Sequence, residues 1–599
     1  MKRFLERKNL AFLLLVALIL PILAACGGTS EPAAPAATSA PAATSAPAAT
    51  TAPEPTAAPE PTAAPEPTAA PEPTTPSGSG ENILRINVGT WPDDLHPQRT
   101  SFANEIAILG LNYEGLTGLD KDLQTVPAAA ESWEYNEDAT AITFKLRDGL
   151  TYSDGSPLTA EHFVQAARRW LNPLDAGDYQ ATLEMVVGAD AILSTDPETE
   201  ADTLDAKYEA LGIKAVDDKT ITVEFTRPTP YFHTLATMWG FFPTKQELID
   251  AGGETWWLDA DNHIGNGPFQ MTLIDEAAGV IEFKANPNYW QGPPKLDGVR
   301  LLFIDDASVA FQAYQNGEID IIAPDPNDVA TIKADPVLSQ EYVVYAGACT
   351  LGLEFNMSKP PFDNLKVREA FAYGFDREGF ARDALQGTVI PTLTWIPDGY
   401  PGYDAEEDRF AYDPEKAKAA LAEAGYPNGE GLPEIKYSYS SSNPANQGRA
   451  EYLAQMYQKS LGINLVLDPV EATTLTNLRK SAETHPNVLG GWCADYPDPQ
   501  NWLSVYFHSG QQFAANIGYK NPEFDALVEQ ADVETDEDKR LELYMQAQKI
   551  VVGDVAHVFV YNTQNDYLIK SYVKGLDLTP QDSSFPGQET ALFDVTIER

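Results

Sequence analysis

The stretch Gly490-Gly491-Trp492-Cys493-Ala494-Asp495-Tyr496-Pro497-Asp498-Pro499-Gln500-Asn501-Trp502 crowds glycines, indoles, a cysteine, carboxylates and prolines into one short run. That mixture is unusual in a plain strand or helix. Val488 and Leu489 read as the end of a buried strand, the two glycines admit another backbone at close range, and Tyr496 to Pro499 must turn the chain away. Trp492, Cys493, Ala494 and Asp495 are thereby placed at a strand end. A carboxylate there, beside an indole and bare main chain, suits capture of a cation whose attached backbone lies along the glycines. A second reading makes Asp495 the cap of the turn that follows it. On this segment alone both stand.

Working outward, the chain has 599 residues, too many for one small core, so two or three lobes are expected. It carries 40 Lys+Arg against 88 Asp+Glu, a net charge of -48. That balance argues against nucleic acid and against docking on anionic lipid through basic patches. Acidity also keeps an exported protein soluble, so it does not by itself imply a cationic ligand. The 10 Trp, 26 Tyr and 25 Phe suit a large core or a carbohydrate- or peptide-like cleft.

Residues 1–25 open with Lys2, Arg3, Arg7 and Lys8 and continue through an apolar run from Leu10 to Leu23. The run is too short for a membrane span and reads as an export signal. Its ending, Leu23-Ala24-Ala25-Cys26, resembles the lipobox of bacterial lipoproteins. That implies cleavage before Cys26 and acylation of its thiol, which takes the net charge to -51 because four basic and one acidic side chain leave. Several acyl chains hold a protein stably at a bilayer surface. Residues 26–80 are almost wholly Ala, Pro, Thr, Ser, Gly and Glu, with Ala-Pro-Glu-Pro-Thr-Ala repeating from Ala52. They cannot build a core and read as a tether stiffened by proline.

Globular sequence follows from Ile83 to the end. Ile83 to Gly89 reads as a strand, and Ala141 to Leu150 alternates Ile142, Phe144 and Leu146 with polar residues at the period of a half-buried strand. Thr159 is placed to cap a helix with Phe163, Ala166, Ala167 and Trp170 on one face. Asp413-Pro414 starts another, carrying Ala417, Ala420, Leu421 and Ala424 and stopped by Gly425. Ile435, Tyr437 and Tyr439 alternate as a strand, Glu451 to Leu461 reads as a helix, and Gly462 introduces a strand through Ile463, Leu465 and Leu467. Such alternation favours α/β lobes with mixed sheets.

Enzyme signatures are missing: there is no GxSxG elbow, HExxH helix, P-loop or Cys-x-x-Cys pair. The seven histidines are scattered, and none stands at metal-ligand spacing from another. Asp259-x-Asp261-x-His263 lacks the glycine and the terminal acid of a calcium loop. No metal, no cofactor and no catalytic residue is expected, although a glycosidase-like pair of carboxylates stays hidden in so acidic a chain.

Several separated stretches point one way. Tyr113-Glu114-Gly115-Leu116, Val126 to Trp133, Thr143 to Arg147, Thr159 to Phe163, Gly265 to Phe269, Asn286 to Trp290, Gly317 to Asp320, and Phe355-Asn356 through to Arg368 follow one another in order. At these spacings the chain resembles the family 5 extracellular solute-binding proteins, receptor subunits of peptide and nickel ABC importers, from Ile83 to the C-terminus. Gly491 to Tyr496 looks like the oligopeptide-binding branch. The resemblance implies a periplasmic-binding-protein-like α/β clamp (type II, class C): lobe I from 81–113, 241–348 and 568–599, lobe II from 114–240, and lobe III from 349–567, with ligand between lobes I and III. It also implies that Asp495 receives a peptide's ammonium, and that Cys493 pairs with Cys349, two unrelated thiols being the alternative. A loop this long contributes about 4 to 5 kcal/mol in the chain-entropy model.

The resemblance further places Trp492, Gly491, Cys493, Tyr179, Ser101, Phe102, Ala103 and Arg479 at the ligand. The branch's arginine for peptide C-termini is replaced by Leu489, its upstream glutamate by Ser101, and its histidine near Ser442 to Gln447 is absent. The implied function is a monomeric, non-enzymatic receptor anchored to the outer face of the cytoplasmic membrane. Its partners are a peptide and the permease and ATPase subunits of an importer, with no nucleic acid. A saccharide, nickel chelate or other solute is the nearer alternative cargo, and a surface hydrolase using two carboxylates the distant one.

Overall fold

The computed structural model describes residues 82–599 apart from 175, 176 and 178. The export signal, Cys26 and the tether lie outside the described residues. The first strand, β1 (Ile83–Asn87), hides Leu84 and Ile86 and is followed by helix α1 (Ala103–Asn112). Strands β2 (Ala130–Tyr135) and β3 (Ala141–Leu146) come next, the latter turning Ile142, Phe144 and Leu146 inward as its period demands. Helix α2 (Ala160–Trp170) starts at a capping box in which Thr159 and His162 satisfy each other's backbone, and buries Phe163, Ala166, Ala167 and Trp170. With β4 (Ile213–Asp217) and β5 (Thr220–Glu224), β2 and β3 make a four-stranded sheet in the order β2-β3-β5-β4.

The chain then adds β6 (Phe269–Asp275), β7 (Val280–Ala285), β8 (Gly298–Leu302), β9 (Ile321–Ile322) and the long β10 (Tyr342–Glu354). After β11 (Val389–Pro391), helix α3 (Pro414–Glu423) begins under an Asp413 side-chain cap. Strand β12 (Ile435–Ser440), helix α4 (Ala445–Leu461) and β13 (Leu465–Val470) form a parallel crossover unit. Then follow helix α5 (Ala472–Arg479), β14 (Val488–Cys493), helices α6 (Pro522–Val533) and α7 (Glu537–Gly553), and the long β15 (His557–Ile569).

The main sheet has nine strands, ordered β14-β10-β15-β9-β1-β8-β7-β6, with β11 added on β15. β10 and β15 run antiparallel along each other, with the register shifting between Ala346 and Thr350. One end of the pair joins the β9-β1-β8 side and the other joins β14. Around this sheet the apolar side chains gather into two large cores. One holds Leu84, Phe144, Trp170, Phe232, Phe269 and Leu301. The other holds Phe371, Trp395, Tyr457, Trp502, Tyr544 and Phe559.

β1 ends at Asn87 and not Gly89, β3 ends at Leu146 and not Leu150, and three further boundaries differ from the sequence reading. α4 starts at Ala445, ahead of Glu451, because the Asn443 carboxamide accepts from the Ala445 N–H and supports a polar first turn that carries no apolar period. Gly462, at φ 74°, closes that helix, so the next strand begins only at Leu465 and Ile463 is a buried link. Val488 and Leu489 begin a strand and do not end one, and β14 carries Gly490 and Gly491 inside it.

Candidate functional site

β14 pairs with β10 so that Cys349 faces Cys493, Thr350 faces Trp492 and Leu351 faces Gly491. Cys349 and Cys493 are disulfide-bonded across the pair. The glycines have a different reason from the one read in sequence. A Cβ on Gly491 would stand 2.0 Å from the Thr350 carbonyl oxygen, and one on Gly490 would strike the Glu354 and Arg479 side chains. They admit the protein's own neighbours on that side.

Past Cys493 the chain leaves the sheet and Asp495 stands half-buried at the meeting of two cavities. Asn501 organises the corner. Its Oδ1 accepts from the Trp492 indole N–H at 3.1 Å and from the Asp495 backbone N–H at 3.1 Å, and its Nδ2 donates to Asp495 Oδ2 at 2.8 Å. Tyr179, from a distant part of the chain, donates its hydroxyl to Asp495 Oδ1 at 2.7 Å. The cap of the following turn is Asp498, which accepts from the Gln500 N–H. Asp495 is therefore held in place by the turn without capping it. Burial pushes its carboxyl above the usual Asp range, against the hydrogen bonds from Asn501 and Tyr179.

The larger cavity, about 780 Å³, lies between Tyr179, Thr182, Glu184, Met185, Arg227 and Met238 on one side and Trp492, Asp495, Tyr496, Asn501, Phe513, Glu529 and Asp532 on the other. Its aromatic wall is layered. Trp492 meets Phe513 edge-on at 4.8 Å, and Tyr506 stacks behind Phe513 at 5.3 Å. The smaller cavity, about 460 Å³, shares Asp495 and Met238 and is lined also by Glu114, Trp239, Trp290, Gln581 and Glu589. Burial raises Glu114 to about 7 against hydrogen bonds from Tyr289 and Trp290. Burial and then the nearby Asp582 raise Glu589 to about 8.

Of the residues expected at the ligand, Asp495, Trp492, Tyr179 and Ser101 line the larger cavity together. Phe102 and Ala103 sit exposed at the start of α1, outside both linings. Cys493 is occupied by its disulfide, and Gly491 faces β10. Arg479 is turned away onto Glu354, donating to both carboxylate oxygens at 2.8 and 3.2 Å. Glu354 is fully buried, and it also accepts from Tyr506 at 3.2 Å and lies 3.4 Å from His485. Burial opposes its charge, yet the His485 hydrogen bond and the Arg479 charge prevail and hold it down at about 2.

Sequence reasoning missed Asn501, Phe513, Glu529 and Asp532. Asn501 carries no periodic signal, since an amide becomes a pivot only when donors and an acceptor from elsewhere converge on it. Glu529 and Asp532 are three apart on α6, a spacing that puts them on one helical face, but nothing local says which face meets the cavity. Among the described residues no cluster of metal-ligating side chains occurs, and no helix is long and apolar enough to cross a membrane.

A mixed sheet threaded by two long shared strands, two cores, and cavities lined from both sides define the periplasmic-binding-protein class of fold. Residues 124–514 match the bacterial extracellular solute-binding proteins, family 5 middle domain, and the chain belongs to that family. It is 28% identical over 510 residues to the oligopeptide-binding protein OppA of Bacillus subtilis (strain 168), covering 83% of this chain and 90% of that one. It superposes on the unliganded open form of the periplasmic murein tripeptide-binding protein MppA with a TM-score of 0.73 at 26% identity, covering 87% of this chain and 99% of the other. For Haemophilus influenzae OppA in complex with RPPGFSPFR the TM-score is 0.67 at 28% identity, with 87% and 99% covered.

Proposed function

We propose that this solute-binding protein captures peptides by their terminal ammonium at Asp495 and delivers them to the permease and ATPase of an ABC importer. Residues 81–113, 241–348 and 568–599 would make one lobe, 114–240 a second and 349–567 a third, closing over the cargo. Cys26 would hold the mature chain to the outer face of the cytoplasmic membrane through acyl chains. The protein would act as a receptor and not an enzyme.

The observation that carries this reading is the state of Asp495. Its carboxylate stands where two cavities meet, and both of its hydrogen bonds come from neutral donors, Tyr179 and Asn501. A carboxylate so placed has lost water without gaining a counter-charge, and an ammonium group supplies one. The names of the relatives, which speak of oligopeptides and a murein tripeptide, support the cargo class.

Asp495→Asn keeps the shape and one of the two accepted hydrogen bonds while removing the charge. It is expected to weaken peptide binding by about 2 to 5 kcal/mol, the range for breaking one side of a desolvated pair, with little change in Tm. Calorimetry against a peptide pool and its N-acetylated counterpart checks the same point from the ligand side. Equal binding of both pools, or a variant that loses stability but keeps affinity, would overturn the anchor. Loss of the Cys26→Ser variant from the membrane fraction tests the lipid attachment, and firm retention refutes it.

A further inference from the structure

The aromatic wall of the larger cavity is fixed from behind. Phe513, 40% exposed, has no polar atom to hold it, so its ring is placed by packing: Tyr506 stacks on it at 5.3 Å with the planes 10° apart, and Trp492 meets it edge-on at 4.8 Å. Trp492 is tied through its indole N–H to Asn501. Tyr506 is buried and lies outside the cavity lining, although its neighbours Ser504 and Val505 belong to it. Trp395 at 4.8 Å and His557 at 5.5 Å enclose the phenol ring, and its hydroxyl donates to Glu354 Oε1 at 3.2 Å.

Glu354 is a fixed point for that bond. Its Oε1 also accepts from Arg479 at 2.8 Å, while Oε2 accepts from Arg479 at 3.2 Å and lies 3.4 Å from His485 Nε2. A buried carboxylate gripped on both oxygens keeps its orientation, and a phenol hydrogen-bonded to it keeps its own. The polar atoms of these rings are thereby engaged inside the protein, Trp492 on Asn501 and Tyr506 on Glu354, so what Trp492 and Phe513 turn to the cavity is ring carbon. Asp495 borders the same space.

We propose that Tyr506, fixed by Glu354, is a positioning residue for peptide capture: it sets the Phe513 ring against Trp492 so that the two receive an apolar side chain near the amino end of a peptide held at Asp495. This rests on the peptide reading above and assigns a role in it to two residues that touch no ligand. The chain of contact runs from the Glu354 carboxylate through the Tyr506 hydroxyl and ring to Phe513, and the hydroxyl is its one polar link. Without that link the phenol ring is held by packing alone, and the Phe513 ring stacked on it is free to tilt.

Titration calorimetry of the full chain against penta-alanine, and against the three pentapeptides in which phenylalanine replaces its first, second or third residue, decides the matter. At one of those positions phenylalanine should bind about 10- to 100-fold more tightly than alanine, the range for burying an apolar side chain. Tyr506→Phe keeps the stacked ring and removes the hydroxyl. It should cut that advantage by about 2- to 10-fold, the range for losing a well-placed aromatic pair, while penta-alanine binds as it does to the wild type. A Tyr506 that only supports the fold would lower Tm and leave the ratio of the two affinities unchanged, and that result overturns the proposal. Equal affinity for phenylalanine and alanine at all three positions of the wild type overturns it too, and peptide capture survives either outcome. Should Tyr506→Phe not fold, Phe513→Leu, at an exposed ring, carries the test: it should cut the phenylalanine advantage over the same range, and an unchanged advantage refutes the proposal. Failure of every pentapeptide to bind the wild type sinks both readings.

Discussion

Two carboxylates bracket strand β14 and live by opposite rules. Glu354 stands across from Val488 at one end, fully buried, with Arg479, His485 and Tyr506 gathered on it. Asp495 lies two residues beyond Cys493 at the other end, half-buried, with only the neutral Tyr179 and Asn501 as donors. The first has its compensating charge built in, and its pKa falls. The second has none, and its pKa rises. The difference separates a charge compensated within the fold from one that the surrounding side chains leave without a counter-charge. It also accounts for the orientation of Arg479, because a guanidinium holding a buried carboxylate cannot leave without stranding that charge.

The comparison can be broken at four places. The largest effect is expected at the disulfide between the two sites. It closes a 144-residue separation, and Cys349→Ala with Cys493→Ala should cost about 4 to 5 kcal/mol in the chain-entropy model. Because it ties β10 to β14, peptide affinity should fall as well, and chemical denaturation alongside calorimetry reads both. Next comes Glu354→Ala, which strands Arg479 and His485 and should lower stability by about 3 kcal/mol or more. Asp495→Asn, measured in the same way, should change stability by less than about 1 kcal/mol. Equal losses at the two positions would erase the distinction drawn between them.

Smaller effects follow from pH. An ammonium binds the ionised form of Asp495, so affinity should decline as pH falls through its raised pKa, and Asp495→Asn should flatten that decline. Glu589 gives a stability test of opposite direction. Its folded pKa, raised from 4.5 to about 8, means that between those values the folded chain keeps a proton the unfolded chain has released. Stability should therefore be favoured below that window and decrease as pH rises through it. Glu589→Gln should make the fall in Tm from pH 5 to pH 8 shallower, and an unchanged slope would show that the side chain titrates normally.

Much of the fold was legible locally. Thr159 and Asp413-Pro414 announced their helices because capping is satisfied within a few residues, and Ile142, Phe144 and Leu146 announced a strand because burial on one face imposes a period of two. Helix α4 was read six residues short because its first turn is polar on every side and is held by Asn443. At the site, Trp492 and Asp495 were legible from the turn chemistry around them. Gly490 and Gly491 were correctly read as a place of close approach, but the approaching atoms proved to be Thr350, Glu354 and Arg479 of the same chain.

What the residue order settles by itself here is whatever a neighbour within a turn or two can satisfy: the caps, the strand periods, the turn from Tyr496 to Pro499, and the family the ordered motifs belong to. Tertiary structure alone decides which charges are compensated. Tyr179 reaches Asp495 across 316 positions of sequence, and Arg479 reaches Glu354 across 125. Composition lists 88 acidic side chains with equal weight. A carboxylate becomes a binding group or a structural one only when folding chooses the donors that surround it and the water it loses.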